Sequence, residues 1–128
     1  MTASEARALC DRWLPLWTGN RPEALIEVYA DDVFYRDPAR PAGLRGRSAL
    51  LAYLRTLLAR FPDWIWEADE IFPLDGGFAL RWRAAIPLRG SVVRETGLDL
   101  VLVADGRITR NEVYFDRAAM LQALASPK

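Results

Sequence analysis

The feature of this sequence that most limits its fold is a change in the spacing of its apolar residues at Pro62. Before Pro62 the apolar residues recur every three or four positions, which is the period of a helix packed along one side. After Pro62 they alternate with polar residues, which is the period of a β-strand. Helices in the first half and strands in the second predict an α+β domain in which helices cover one face of a sheet.

Three helices are predicted in the first half. Thr2 followed by Glu5 is a capping-box pattern and marks the start of a helix over residues 3–17. Pro22 suits the first position of a second, short helix. Regularly spaced leucines predict a third helix over residues 47–60. We expect all three helices to pack against the sheet through their apolar sides.

The second half predicts four long strands, and a short strand over residues 33–37 precedes them. Asp75-Gly76-Gly77 and Asp105-Gly106 are hairpin turn signals, so we expect neighbouring strands to pair antiparallel. The prolines and glycines of residues 38–46 predict an irregular loop. The four long strands are predicted over residues 64–72, 78–87, 92–103 and 107–115, and a short C-terminal helix over residues 117–125.

The composition excludes several classes of function. The 128 residues suit one domain, residues 1–128, and 17 basic against 17 acidic residues leave no basic excess for nucleic acid. Without histidine and with Cys10 as its one cysteine, the sequence lacks the usual zinc ligands and the usual base of a serine or cysteine nucleophile. No apolar run approaches membrane-spanning length. We therefore expect a cytoplasmic protein without metal or cofactor and without nucleic-acid or membrane partners.

Three segments resemble those of a known family. Residues 29–38 read Tyr-Ala-Asp-Asp-Val-Phe-Tyr-Arg-Asp-Pro, residues 43–47 read Gly-Leu-Arg-Gly-Arg, and Asp105-Gly106-Arg107-Ile108 leads into Tyr114-Phe115-Asp116. They resemble the nuclear transport factor 2-like superfamily, and within it the SnoaL-like and ketosteroid-isomerase-like proteins. The resemblance implies a cone-shaped α+β barrel, in which a curved antiparallel sheet and three helices enclose an apolar pocket, frequently in a homodimer. Sixteen arginines against one lysine are typical of a GC-rich bacterial source.

Two acids are the candidate catalytic residues. In the ketosteroid isomerases that the chain resembles, the Asp of the Asp-Pro pair after the first strand moves a proton between two carbons, which implies that Asp37 is a base. An Asp at about the place of Asp99 stays protonated in those enzymes and donates a hydrogen bond to the substrate oxyanion. Asp37 could instead only accept backbone N–H bonds before Pro38. Asp99 could instead face outward and pair with Arg83 or Arg94.

The sequence departs from the family's catalysts at two positions. Trp13 stands where those isomerases have the tyrosine that completes the oxyanion hole, and an indole N–H is far less acidic than a phenol. Val113 stands where polyketide cyclases and epoxide hydrolases of the superfamily have an acid on the last strand. Its neighbour Glu112 points to the opposite face of the strand. Arg81 and Arg83 could bind a carboxylate, or could belong to the wet face of their strand.

The rest of the candidate site is apolar and aromatic. Tyr35 and Tyr53 could supply a hydroxyl, and Val101 shares a strand face with Asp99, so that it would line the same pocket. Large aromatic walls favour a flat, apolar ligand. The predicted substrate-binding residues are Trp13, Trp17, Tyr35, Tyr53, Trp82, Val101, Val113 and Phe115.

Three functions are open from the sequence. The first is a cofactor-free enzyme that transfers a proton on a small hydrophobic carbonyl compound, in the manner of a ketosteroid isomerase. The second is a non-catalytic small-molecule-binding or dimerisation domain, with Trp66 and Tyr114 on the outer sheet face as a dimer contact. The third is a polyketide-cyclase-like or epoxide-hydrolase-like enzyme. In each case we expect a small hydrophobic ligand and a homodimer.

Overall fold

The computed structural model describes residues 1–125, in which a curved, unclosed sheet of six strands is packed against N-terminal helices and followed by a short C-terminal helix. This is the cone-shaped α+β architecture that the sequence predicts. The predicted single domain runs to residue 128, and its last three residues lie outside the described range.

The first helix, α1 (Ala3–Trp13), begins at the predicted capping box. The Thr2 hydroxyl accepts the backbone N–H of Glu5 at 3.1 Å, and the Glu5 carboxylate accepts the backbone N–H of Thr2 at 2.9 Å. The predicted helix over residues 3–17 changes its form near the end, because Pro15 has no N–H to continue the α-helical ladder. Residues Leu14–Trp17 form a 3₁₀ turn instead.

Two more helices complete the first half. The short α2 (Pro22–Leu25) starts at the predicted proline and continues into a 3₁₀ turn, Ile26–Val28. The long α3 (Arg47–Arg60) has the predicted bounds, and its leucines at four-residue spacing are fully buried. These buried leucines are Leu50, Leu54 and Leu58.

Six strands form the sheet in the order β2-β1-β6-β5-β4-β3. The four long strands lie within two residues of their predicted bounds, and the predicted C-terminal helix forms as α4. The strands are β1 (Tyr29–Asp37), β2 (Arg40–Arg45), β3 (Ile65–Leu74), β4 (Gly77–Leu88), β5 (Ser91–Ala104) and β6 (Arg107–Tyr114), and the helix is α4 (Ala118–Ala125).

Two features of the sheet correct the predictions. Residues 38–46 were expected to be an irregular loop, but they contain β2, an edge strand on which Pro41 is tolerated because no further strand needs its N–H. The sheet is also mixed and not wholly antiparallel, since β1 pairs with β6 in parallel. Hairpin turns fix the direction only of consecutive strands, whereas a long connection separates β1 from β6.

The sheet buries one face and exposes the other. Along β4, Leu80, Trp82 and Ala84 are buried, and Arg81 and Arg83 between them are exposed. The helices cover the buried face, where α1 contacts β3 and α3 contacts β1. This arrangement places side chains of four strands and of all four helices in one core.

Gly97 on β5 has no side chain, and the Trp82 ring occupies the space that a side chain there would fill. The two residues lie opposite each other in the β4–β5 pair. A Cβ added to Gly97 would lie 2.3 Å from Cζ2 of the Trp82 ring and 2.7 Å from the backbone oxygen of Tyr114. Because Trp82 is only 1% exposed, the ring could move only by displacing its neighbours.

We therefore expect Gly97→Ala to lower the free energy of unfolding by about 1–3 kcal/mol, the usual cost of overpacking a core. Urea denaturation followed by tryptophan fluorescence measures this change. Thr96→Ala, at the exposed neighbouring position, is the control and should change the free energy by no more than about 0.5 kcal/mol. Equal values for the two variants would show that Gly97 has no special part in holding Trp82.

Candidate functional site

A cavity lies between the helices and the buried face of the sheet. Its volume is about 80 Å³, below the roughly 300–1,000 Å³ of sites for drug-sized ligands. Its wall is largely aromatic, and it includes all of the predicted site residues except Val101. Those on the wall are Trp13, Trp17, Tyr35, Asp37, Tyr53, Trp82, Asp99, Val113 and Phe115.

Val101 is the predicted ligand contact that the structure places elsewhere. It is fully buried and shares a strand face with Asp99, as expected, but it is not part of the cavity wall. It lies between Phe78 on β4 and Asn111 on β6, where the core is filled by side chains. Strand alternation identifies the face of a residue correctly but not its distance from the cavity.

Asp99 lies in the middle of β5 with its side chain on the cavity wall, and 5% of the residue is exposed. Trp82 and Asn111 are on the two flanking strands, each diagonal to it. The Trp82 indole donates to Oδ1 at 2.8 Å, and the Asn111 amide donates to Oδ2 at 2.9 Å. The alternative of an outward-facing acid paired with Arg83 or Arg94 is therefore wrong.

Burial raises the pKa of Asp99 to about 7, because the interior disfavours its charged form. The hydrogen bonds from Asn111 and Trp82 act in the opposite direction, and the negative charge of Asp37 adds to the rise. A carboxyl group with such a pKa can hold or release a proton near neutral pH, as a general acid or base must.

A buried chain of hydrogen bonds extends from Asp99 to the first helix. Asn111 accepts the hydroxyl of Tyr29 at 2.9 Å, and the Tyr29 oxygen accepts the indole N–H of Trp13 at 3.2 Å. The Trp13 ring lines the cavity, but its N–H is already bonded to Tyr29. Trp13 therefore contributes an apolar wall and no free donor.

Asp37, the last residue of β1, accepts four hydrogen bonds. Its Oδ2 accepts the hydroxyls of Tyr35 at 2.8 Å and Tyr53 at 2.7 Å, and its Oδ1 accepts the backbone N–H groups of Ala39 and Arg40 at 2.9 and 3.0 Å. The sequence left open whether this acid faces the pocket or bonds to the turn before β2, and it does both. Four donors fill the acceptor positions of the carboxylate.

Tyr35 and Tyr53 remain neutral donors to this carboxylate. Burial raises the pKa of Tyr35 well above the ordinary value, with a smaller contribution from the Asp37 charge. Burial also raises the pKa of Tyr53, and its hydrogen bond to Asp37 is the next largest cause of the rise. Both hydroxyls therefore keep their protons, which they share with Asp37.

Several site residues were missed from the sequence. Asn111 could have been found, because it shares an inward strand face with Val113. Tyr29 was not identified as a site residue because it lies before the predicted strand, in a segment read as helical. Trp64 and Arg117 also line the cavity, and so does Trp66, which was wrongly expected on the outer face.

The outer face of the sheet holds the charged residues that were candidate ligand contacts. Arg81 pairs with Asp69 and Glu70, and Arg83 pairs with Asp69, so neither reaches Asp99. Glu112 is also on this face, as predicted from alternation, and Tyr114 is 42% exposed. Glu112 is hydrogen-bonded to Arg110 and Tyr114.

Residues 1–125 contain no group of three or more acidic, cysteine or histidine side chains that could hold a metal ion. Within the same residues, no helix combines the length and the apolar character needed to span a bilayer.

A curved α+β sheet with an acid-bearing aromatic cavity beneath its helices defines a protein of the nuclear transport factor 2-like class. Residues 10–111 match the family model described as a SnoaL-like domain. The chain therefore belongs to the SnoaL-like domain family.

Solved structures with this fold span nearly the whole chain. One is a hypothetical protein with a ketosteroid-isomerase-like fold from Catenulispora acidiphila, in complex with trimethylamine (TM-score 0.81, 19% identity, 93% of each chain covered). A candidate SnoaL-like polyketide cyclase from Jannaschia sp. CCS1 has a TM-score of 0.80 at 14% identity, over 98% of this chain and 94% of that one. An LEH-like epoxide hydrolase from Mycobacterium tuberculosis has a TM-score of 0.76 at 21% identity, over 94% and 90%. At these identities the similarity shows the fold alone. Among curated proteins, none matches the chain.

The titration of Asp99 should be visible in the stability of the protein. Its pKa in the folded state, about 7, lies above the ordinary 3.8, so between about pH 4 and 7 the folded state holds a proton that the unfolded state releases. The contribution of Asp99 to the free energy of unfolding is therefore fully present below about pH 4 and is lost as the pH rises through about 7.

Asp99→Asn cannot titrate, so it does not lose this contribution as the pH rises. We therefore expect its free energy of unfolding, relative to that of the wild type, to increase by on the order of 2 kcal/mol from pH 5 to pH 8. Urea denaturation of both proteins at the two pH values measures the difference. Asp75→Asn, at an exposed turn, is the matched control for loss of a carboxylate. If the difference between Asp99→Asn and the wild type is the same at both pH values, Asp99 does not titrate in this range.

Proposed function

We propose that this domain is a cofactor-free acid–base enzyme that transfers a proton on a small hydrophobic carbonyl compound. The observation that supports it most directly is Asp99, a buried carboxyl group on the wall of an apolar cavity, whose pKa burial raises to about 7. Such a group is protonated in much of the protein near neutral pH and can donate a hydrogen bond to a carbonyl oxygen.

In this proposal Asp99 stabilises the enolate, and Asp37 takes the proton from one carbon and returns it to another. The four donors on Asp37 occupy its acceptor positions, so one of them has to leave before the proton arrives. Tyr53 is the partly buried member of the tyrosine pair and has the most room to turn away. The Asp37 oxygen that it releases then faces the cavity, and the proton on Asp99 is shared with the oxygen of the enolate.

A second candidate function is binding without chemistry. It is favoured by the fact that Asp37 and the Trp13 N–H already have their hydrogen-bond partners within the protein. The complex of the Catenulispora acidiphila protein with trimethylamine supports small-molecule binding by this fold. A cyclase or epoxide-hydrolase activity, as named for two relatives, has less support because Val113 gives the last strand no acid in the cavity.

We also propose, from the sequence and the family resemblance, that residues 1–128 form one domain and that it acts as a homodimer in a bacterial cytoplasm. The exposed Leu98 and Tyr114 on the outer sheet face support a contact between copies there. Sedimentation analysis of the purified protein tests the dimer.

Replacing the two acids tests the catalytic proposal. With 3-cyclohexenone as the probe, conversion to the conjugated isomer is followed by ultraviolet absorbance. We expect Asp99→Asn to lower kcat about 10²–10³-fold, as the loss of one oxyanion donor does, and Asp37→Asn to lower it about 10²–10⁴-fold.

Asp75→Asn should keep the wild-type rate, and circular dichroism checks that each variant is folded. Normal turnover by both site variants would contradict the assignment. Calorimetric binding of the ketone without any turnover by the wild type would favour the binding function instead.

A further inference from the structure

Arg117 is the one basic residue that lines the cavity in the described part of the chain. It lies between β6 and α4, and its side chain is partly buried. A guanidinium group that is partly withdrawn from water normally has a carboxylate partner, because its lost hydration is otherwise uncompensated.

Within residues 1–125, however, Arg117 takes part in no side-chain ion pair or hydrogen bond. The ion pairs of the described residues use other arginines: Arg36, Arg47, Arg55, Arg81, Arg83 and Arg110. Neighbouring Asp116 accepts the backbone N–H of Ala118 at the start of α4. Asp37, the acid on the same side of the cavity, has its acceptor positions filled by the two tyrosines and the turn.

Arg40 adds a second positive charge at the same place. Its guanidinium lies over the Tyr53 ring, 5.5 Å from the ring centre. Burial and the bond to Asp37 raise the pKa of Tyr53, whereas the charges of Arg40 and Arg117 both lower it. Both arginines therefore act on the same partly exposed phenol. Arg40 is exposed and is not part of the cavity wall, so it adds its positive charge beside Tyr53 from outside the wall.

We propose that the ligand of this cavity is a small aromatic carboxylic acid, whose ring lies among the tryptophans and whose carboxylate is bound by Arg117 with the help of Arg40. The inference rests on the proposed function, since it names the class of carbonyl compound: one that also carries a carboxylate. A guanidinium group binds a carboxylate through two parallel hydrogen bonds. Trp17, Trp64 and Trp66 supply the flat apolar surface that the ring requires.

Calorimetry with two probes of matched shape tests this inference. 3-Phenylpropionate carries the charge, and 3-phenylpropionamide replaces it by a neutral group of the same size. We expect the acid to bind about tenfold or more tightly than the amide, because hydrogen bonds between charged groups are the stronger kind.

Arg117→Gln should remove this preference while it changes the affinity for the amide by no more than about threefold. Arg40→Gln should reduce the preference for the acid in part. Arg117→Lys should keep more of this preference than Arg117→Gln, because lysine supplies a positive charge but not the planar guanidinium group that forms two parallel hydrogen bonds. Arg107→Gln, at the exposed first residue of β6, is the control for loss of one positive charge and should keep the preference.

Equal affinities of the wild type for acid and amide, no binding of the acid at millimolar concentration, or an unchanged preference in Arg117→Gln would overturn the inference. Its failure is distinct from failure of the proposed function. Isomerisation of neutral 3-cyclohexenone without a preference for acids would leave the enzyme proposal standing. Preferential binding of acids without turnover of any carbonyl probe would support a carboxylic acid as the ligand and contradict the proposed enzymatic function.

Discussion

The burial of the Asp99 carboxyl group beside an apolar cavity is the constraint on which the rest of the structure depends. A polar group withdrawn from water needs partners, and Trp82 and Asn111 supply them from the two flanking strands. Asn111 is bonded in turn to Tyr29, and Tyr29 to Trp13. One network therefore connects β4, β5, β6, β1 and α1, so the aromatic walls of the cavity are fixed by hydrogen bonds as well as by packing.

The two acids on the cavity wall have opposite surroundings. Around Asp99 the loss of hydration outweighs two hydrogen bonds, so its pKa rises and its neutral form is accessible. Asp37 instead accepts four hydrogen bonds, two of them from backbone N–H groups of the turn before β2. A pair of carboxyl groups that differ in this way can act as acid and base in the same site, with environment and not residue type dividing the roles.

The period of the apolar residues was enough to predict the helices and the four long strands, because burial of one face dictates that period directly. It did not predict β2, because the prolines and glycines of residues 38–46 interrupt the strand period. It did not predict the parallel pairing of β1 with β6 either, since that depends on which distant segments meet. The two acids could be located from the Asp-Pro pair and from Asp99 in an apolar strand. The donors of Asp37 could not, because Tyr53 approaches from α3, and the placement of a helix over a sheet is a property of the whole fold. Val101 shows a related limit. The prediction put it on the correct face of β5 but wrongly on the wall of the cavity.

The polar groups on the largely apolar cavity wall differ in their burial. Asp99 is buried, whereas Tyr53 and Arg117 are partly exposed, and the exposed Arg40 lies over the Tyr53 ring. Apolar walls alone hold a flat ligand without deciding which of its ends points inward, whereas polar groups of different kinds decide it. The Trp13 N–H is bonded to Tyr29 and is not available to a ligand. A ligand oxygen next to Asp99 would therefore have one hydrogen-bond donor, not the two of an oxyanion hole. In the proposed enzyme one donor would stabilise the developing charge, and binding of the ligand carboxylate by Arg117 would hold the ligand in one orientation.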